Sequence, residues 1–167
     1  MSLGKMTALA GLGLVWGSVV FAQDLIFDPA PVEACLAEGA SDPRQCIGLA
    51  AAACVEATPG GTTTVGMGGC ADRELSYWDA RLNRAYGALR PHMAQMDAGN
   101  AIPGRDLPSA EIALRDMQRA WIGFRDARCA YDAAQYGGGT GANPAFLTCM
   151  MQETGEQALA LEADLAR

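Results

Sequence analysis

The stretch Cys70–Arg90, CADRELSYWDARLNRAYGALR, decides the fold class of this chain. Within it and just beyond it, apolar residues recur at spacings of three and four, which is the period of one face of an α-helix. We expect Cys70 to open this helix. Pro91 should end or kink the helix near Arg90, because proline lacks the amide hydrogen that a helix interior needs. The apolar stripe consists of Leu75, Trp78, Leu82, Tyr86, Leu89, Met93 and Met96.

Two further stripes with the helical period follow this one. Asp106 or Ser109 can cap the second helix, Pro108 suits its first turn, and the glycine-rich segment 136–141 stops it. The pair Asn143-Pro144 should begin the third helix, in which Gly155 costs ~1 kcal/mol relative to alanine. The second stripe is Leu114, Met117, Trp121, Phe124, Arg128 and Tyr131, and the third is Leu147, Met150, Met151, Thr154, Ala158, Leu161 and Leu165.

No stretch alternates with the period of a β-strand, so the sequence predicts an all-α fold. Three amphipathic helices joined by short connections should pack as an up-down-up bundle over residues 70–167. Residues 23–69 are rich in Ala, Gly and Pro, with helical pieces expected at Val32–Ala37 and Arg44–Glu56 and a loop at Thr58–Thr64. That segment has too few large apolar residues for a core of its own. We therefore interpret it as a disulfide-stapled N-terminal helical extension of the bundle.

The first 22 residues have the pattern of a secretory signal peptide. Lys5 precedes an apolar run that extends from Met6 to Phe21. Small residues at Val20 and Ala22 suit cleavage after Ala22. The alternative is a membrane anchor, but the run is short for a span of ~20 residues and is interrupted by glycines. We expect export to the periplasm, where thiols oxidise, and no stable membrane insertion after cleavage.

Six cysteines indicate a disulfide framework, although six thiols allow 15 pairings. If the intervening residues are helical, Cys46 and Cys54 lie ~12 Å apart along the axis, which is too far for a disulfide. In an up-down-up bundle, Cys70, Cys129 and Cys149 meet at one end. We favour the pair Cys129–Cys149, which closes the glycine loop, and Cys70 remains an alternative partner for either. The six are Cys35, Cys46, Cys54, Cys70, Cys129 and Cys149.

Neither a metal site nor a catalytic site is predicted. A zinc site needs closely spaced cysteine or histidine ligands, and the one histidine, His92, is far from every cysteine. The same histidine has no spaced serine or acid that would form a triad, and no carboxylate pair has the spacing of a glycosidase. The glycine loop follows a helix and lacks the lysine of a phosphate-binding loop. We therefore expect a protein that is not an enzyme and has no cofactor.

The charge balance limits the class of partner. Eleven of the 12 basic residues and all 19 acidic residues follow residue 22, so the mature chain would carry a net charge of −8. Nucleic acids and anionic lipids require clustered cations, and such partners are disfavoured. A basic protein partner is compatible with this charge, as is a role in solubility alone.

Two sequence blocks carry a resemblance to a known family. They are WDARLNRAY at residues 78–86 and QRAWIGFRDARC at residues 118–129, followed by a glycine-rich loop, Cys149 and Thr154. Over about Cys54–Leu161 the chain resembles the LprI-like lysozyme inhibitor family, a domain common in bacterial envelope proteins. One difference is Gln157, which stands where the family usually has an arginine. The motif residues are Trp78, Asp79, Leu82, Asn83, Tyr86, Gln118, Trp121, Arg125 and Asp126.

Several motif residues have alternative interpretations. Arg125 is either an anchor for a carboxylate of a partner or a residue that pairs with Asp79 or caps a helix inside the domain. Trp78 and Trp121 are expected in the core. The loop after the second helix is either a flexible connector or a contact loop that enters a cleft, and an acidic helix face is the other candidate contact surface. The loop residues are Tyr136, Gly137, Gly138, Gly139 and Thr140.

The resemblance implies a periplasmic protein that inhibits lysozyme-type peptidoglycan hydrolases by non-covalent binding. Many lysozymes are basic, so an acidic inhibitor would be attracted to them electrostatically. The alternative function is an envelope structural or stress protein that scaffolds an unknown protein partner and does not inhibit lysozyme.

Overall fold

The computed structural model describes residues 24–167, so the predicted signal peptide, residues 1–22, lies outside the described residues. The described part contains five α-helices and one 3₁₀ helix and no β-strand, which confirms the all-α prediction. None of these helices is both long enough and apolar enough to cross a membrane. The elements are α1 (Ala30–Ala37), a 3₁₀ helix (Pro43–Cys46), α2 (Leu49–Ala57), α3 (Thr64–Gly99), α4 (Ala110–Ala134) and α5 (Ala142–Leu165).

Helix α3 is longer than the sequence indicated at both ends. It begins at Thr64, six residues before Cys70, with the Thr63 hydroxyl accepting a hydrogen bond from the Gly66 amide at 3.0 Å. Pro91 does not end it. Pro91 and Gly87, one turn earlier, are both exposed. Water can therefore bind the Gly87 carbonyl that proline leaves without a helical partner.

The starts of the other two long helices differ in detail from the prediction. Ser109 caps α4, with its hydroxyl accepting a bond from the Ile112 amide at 3.1 Å, so Pro108 lies before the cap and not in the first turn. Helix α5 begins at Ala142, and Asn143 is inside its first turn instead of capping it. Pro144 is buried close to Gly68 of α3.

The largest interface joins α3 to α5, and it contains most of the core. A β-carbon added at Gly155 of α5 would lie 2.8 Å from the Cδ1 atom of Ile47. The glycine that weakens α5 therefore lets the N-terminal segment pack directly against it. The large buried apolar side chains are Val32, Trp78, Leu82, Leu89, Met151 and Leu161.

Three disulfides connect successive elements. Cys35–Cys46 joins α1 to the 3₁₀ helix, Cys54–Cys70 joins α2 to α3, and Cys129–Cys149 joins α4 to α5. The favoured pair Cys129–Cys149 is confirmed, and so is the expectation that Cys46 and Cys54 do not pair. Cys70 is not a partner for either of the other two, because it holds the N-terminal segment to α3. The closed loops of 11 to 20 residues each contribute about 3 kcal/mol on the chain-entropy model.

Asp97, near the end of α3, forms a second cap for α4. Its carboxylate accepts hydrogen bonds from the Ser109 hydroxyl at 2.7 Å, the Ala110 amide at 2.8 Å and the Glu111 amide at 3.1 Å. These donors lower the pKa of Asp97, with the Ser109 hydroxyl as the largest cause. Two long helices are thus linked by one carboxylate at this end of the molecule.

We predict that Asp97→Asn lowers the melting temperature more at neutral pH than in acid. Because folding depresses the pKa of Asp97, its contribution to stability is present above the ordinary value of about 3.9 and is lost as pH falls below it. Thermal unfolding of both proteins between pH 7 and pH 2 tests this. The difference in melting temperature should narrow below about pH 4. The control is Asp106→Asn, at an exposed site. A difference in melting temperature between wild type and Asp97→Asn that stays constant from pH 7 to pH 2 contradicts the prediction, as does an equal pH-dependent difference for Asp106→Asn.

Candidate partner-binding surface

Trp78, the first motif residue, is fully buried and is held by a buried acid. Its indole N–H donates to Glu74 at 2.9 Å. The Glu74 carboxylate also accepts bonds from the Gly48 amide at 2.6 Å and the Ala51 amide at 2.7 Å. Glu74 therefore caps α2, whose own capping residue, Gly48, has no side chain. Sequence reasoning missed Glu74. The signal that could have found it is Gly48, since a glycine before the alanine-rich helix α2 cannot cap it and a distant side chain must do so.

Arg81 links α3 to α5, and sequence reasoning also missed it. Its guanidinium binds both carboxylate oxygens of Glu162, at 2.8 and 2.7 Å, and donates to the Tyr77 hydroxyl at 2.9 Å. It also lies 5.2 Å from the centre of the Trp78 ring. The hydrogen bonds that Arg81 donates to Glu162 raise the pKa of Arg81, against the opposing effect of burial. This bidentate pair is part of the scaffold.

The polar motif residues do not form one cluster. Asp79 and Asn83 are exposed and bond to each other at 2.8 Å. Arg125 lies 4.9 Å from the centre of the Trp121 ring and binds Asp126 at 2.9 Å, and it reaches the Thr154 hydroxyl of α5 at 3.5 Å. The pair between Arg125 and Asp79 that we considered is not formed. Only 16% of the Arg125 side chain is exposed, so it is engaged inside the domain.

Gln157 pairs with another glutamine. Its amide donates to the buried Gln118 side chain at 3.0 Å and contacts the Met117 sulfur at 3.4 Å. At the place where the resemblance led us to expect an arginine, this chain therefore has a neutral amide pair between α4 and α5. Such a pair needs no counter-ion.

Three exposed aromatic side chains lie on or just after α4, and we call them the aromatic surface: Phe124 and Tyr131 share one face of the helix, and Tyr136 lies two residues past its end. These side chains are 58%, 62% and 53% exposed. All other aromatic side chains within residues 24–167 are buried or half-buried. The predicted inward stripe of α4 was therefore wrong for Met117, Phe124, Arg128 and Tyr131, all of which are exposed. The inward face instead carries Leu114, Gln118, Trp121, Arg125 and Cys129.

The loop that follows α4 is a series of hydrogen-bonded turns. The Gly139 amide donates to the Tyr136 carbonyl at 2.8 Å, and the Ala142 amide donates to the Gly139 carbonyl at 3.0 Å. Gly137 and Gly138 have φ of 55° and 81°, a left-handed conformation that favours glycine. The Tyr136 ring covers Gly141, where an added β-carbon would lie 2.6 Å from the ring. The ring is thereby held at the end of α4.

An open groove of about 750 Å³ adjoins Tyr136. Met67 of α3, Gln135 just after α4 and Pro144 of α5 are among its lining residues. It also contacts Cys149, so the disulfide Cys129–Cys149 lies beside it. Tyr136, the loop 136–140 and the groove therefore lie together at the end of α4, with Tyr131 one turn before that end and Phe124 near the middle of the helix.

This end has the chemistry of a protein interface. Tyrosine, phenylalanine, methionine and arginine are enriched in interfaces, whose rims are polar. Here the partly exposed ion pair Arg128–Asp132, at 2.8 Å, lies on α4 next to Tyr131 in sequence. Across residues 24–167, no group of three or more histidine, cysteine, aspartate or glutamate side chains is arranged to hold a metal ion.

Comparison with known proteins identifies a family. The family model described as lysozyme inhibitor LprI matches residues 54–161. An uncharacterized 17.7 kDa protein in the puhA 5' region of Rhodobacter capsulatus is 26% identical over 136 residues, which cover 77% of this chain and 81% of that protein. An uncharacterized protein of Rhizobium meliloti (strain 1021) is 34% identical over 71 residues, covering 42% of this chain and 51% of that protein. No solved structure matches.

Proposed function

We propose, from the premise that this chain belongs to the LprI lysozyme inhibitor family, that it binds and inhibits lysozyme-type peptidoglycan hydrolases without covalent chemistry. The observation that carries the proposal is the family match over residues 54–161. In this proposal the chain is exported, its signal peptide is cleaved after Ala22, and the oxidised protein acts in the periplasm. The three disulfides between described residues are compatible with an oxidising compartment.

The scaffold in this proposal is a three-helix up-down-up bundle with a stapled N-terminal extension. Two contacts between α3 and α5 support a parallel pair, since Gly68 lies near Pro144 and Arg81 binds Glu162. Helix α4 then runs the opposite way, from the Asp97 cap at one end to the disulfide Cys129–Cys149 at the other. Because α4 is fixed at both ends, the aromatic surface is held in place before binding. Its residues would then lose little conformational entropy when a partner binds.

The aromatic surface and the loop 136–140 form the inhibitory contact in this proposal. Tyr131 and Tyr136 offer large amphipathic rings whose burial would supply most of the affinity. The net charge of −8 after cleavage would attract a basic hydrolase and raise its association rate. The attraction acts over about 10 Å at 0.1 M salt, so inhibition should weaken as ionic strength increases.

A lysis assay tests this function. Lysozyme acting on cell walls clears a turbid suspension, and the oxidised protein should slow the clearing in a dose-dependent and salt-sensitive way. An unrelated protein of equal negative charge is the control, because charge alone can adsorb lysozyme. No slowing at a large molar excess would contradict the proposal and would favour a scaffolding role in the envelope.

A further inference from the structure

A cleft of about 350 Å³ lies at the other end of α4 from the aromatic surface. It is formed where the second half of α3 meets the start of α4 and the end of α5. Leu89 and Leu114 provide apolar lining, and Asp164 lies at its edge together with Arg167, to which it is ion-paired. The proposed inhibitory contact does not use this cleft.

Three side chains with soft or borderline donor atoms line this cleft together, namely His92, Met93 and Met96. In a helix, residues three and four positions apart are neighbours on one face, so Met96 lies beside both His92 and Met93. His92 is exposed, Met96 is 42% exposed, and Met93 is half-buried and packs against the edge of the core. Within residues 24–167, the His92 imidazole has no hydrogen-bond or ion-pair partner.

We infer that His92, Met93 and Met96 form a binding site for one Cu(I) ion, with two thioether sulfurs and one imidazole nitrogen as ligands. Thioethers are soft donors that select Cu(I), and imidazole also suits copper, whereas Mg²⁺ and Ca²⁺ require oxygen ligands. Methionine has three rotatable bonds, so the two sulfurs can converge on one ion without moving the helix. Asp164, at the edge of the cleft, is already paired with Arg167, so the ligand set consists of the imidazole and the two thioethers alone.

The state of the cysteines strengthens this inference. No described cysteine is free, because all six form disulfides. Thiolates bind Cu(I) more readily than thioethers do, and here none competes for the ion. A methionine–histidine site is therefore a soft site that the described part of the chain offers without a free thiol.

The test is an anaerobic titration of the oxidised protein with Cu(I), supplied as its acetonitrile complex and followed by NMR. The methionine methyl signals of Met93 and Met96 and the ring signals of His92 should shift and saturate at one equivalent of copper. Met67 and Met117 are similarly exposed methionines elsewhere, and their signals should not move. Absence of any shift, or equal shifts at all four methionines, would overturn the site.

Variants separate the site from general sulfur binding. The double variant Met93→Leu, Met96→Leu conserves volume, and circular dichroism verifies its fold. Loss of a residue that only supports a metal ligand can weaken binding by roughly 100-fold. Because this variant removes two ligands themselves, it should raise the apparent Kd for Cu(I) by more than that. The matched double variant Met67→Leu, Met117→Leu should bind like the wild type. Saturation of the Met93/Met96 variant at the wild-type copper concentration would refute the inference, whatever the outcome of the lysozyme assay.

Discussion

Replacing Glu74 by alanine is expected to lower the free energy of unfolding by about 3–5 kcal/mol. Three donors bond to this fully buried carboxylate: the Gly48 amide, the Ala51 amide and the Trp78 indole N–H. The substitution leaves the buried Ala51 amide and Trp78 indole N–H and the part-buried Gly48 amide without their acceptor, and each buried donor left unpaired costs about 1–3 kcal/mol. It also removes the side chain that caps α2, whose own N-cap residue, Gly48, has none.

Urea or thermal unfolding of the oxidised protein measures this effect. For a chain of this size the loss corresponds to a decrease in melting temperature of about 10 °C. Glu74→Gln keeps the shape but turns an NH₂ group toward at least one donor, so its loss should be intermediate. Asp72→Asn, at an exposed site two residues earlier on α3, is the matched control and should change stability by less than about 0.5 kcal/mol. A loss below 1 kcal/mol for Glu74→Ala would show that the buried cap is not structurally important.

The second large effect concerns the aromatic surface. The double variant Phe124→Ser, Tyr131→Ser should weaken binding to lysozyme by about 100-fold or more, since truncating two aromatic hot spots costs at least ~2–3 kcal/mol. Stability should change little, because both side chains are more than half exposed. Calorimetric titration at fixed salt measures the affinity, and the lysis assay should show a parallel loss of inhibition.

Ile122→Ser is the matched control for this surface. Ile122 is also on α4 and is 43% exposed, but it lies on the opposite side of the helix from Tyr131, nine residues away. It should therefore retain wild-type affinity. If the Ile122 variant loses as much affinity as the double variant, the contact lies elsewhere on α4 and the assignment of the aromatic surface is wrong.

The helices and one disulfide could be predicted from local sequence patterns. The spacing of Trp78, Leu82 and Leu89 indicates the buried face of α3, and the antiparallel order of α4 and α5 brings Cys129 close to Cys149. Both features depend on helical period and short connections, which are properties of neighbouring residues.

The features that could not be predicted depend on partners distant in sequence. Arg125 and Gln118 are residue types that usually lie in solvent. On α4 both lie on the inward face, where Arg125 donates a hydrogen bond to Thr154 and Gln118 accepts one from Gln157. Because those two polar residues turn inward, Phe124 and Tyr131 turn outward. Glu74 is similarly a charged residue whose burial depends on hydrogen bonds from the start of α2, more than 20 residues earlier in the chain. The candidate surface therefore became visible only when the orientation of α4 was known.

The central claim is that the oxidised protein binds a lysozyme through the aromatic surface and the loop 136–140. One measurement tests this claim most directly. It is an NMR titration of isotope-labelled oxidised protein with unlabelled lysozyme at low salt. Signals from residues 124–140 and from Met67 should shift or broaden, while those of His92, Met93 and Met96 at the other end should not change. No perturbation at equimolar lysozyme, or one confined to the His92–Met96 end, would contradict the account.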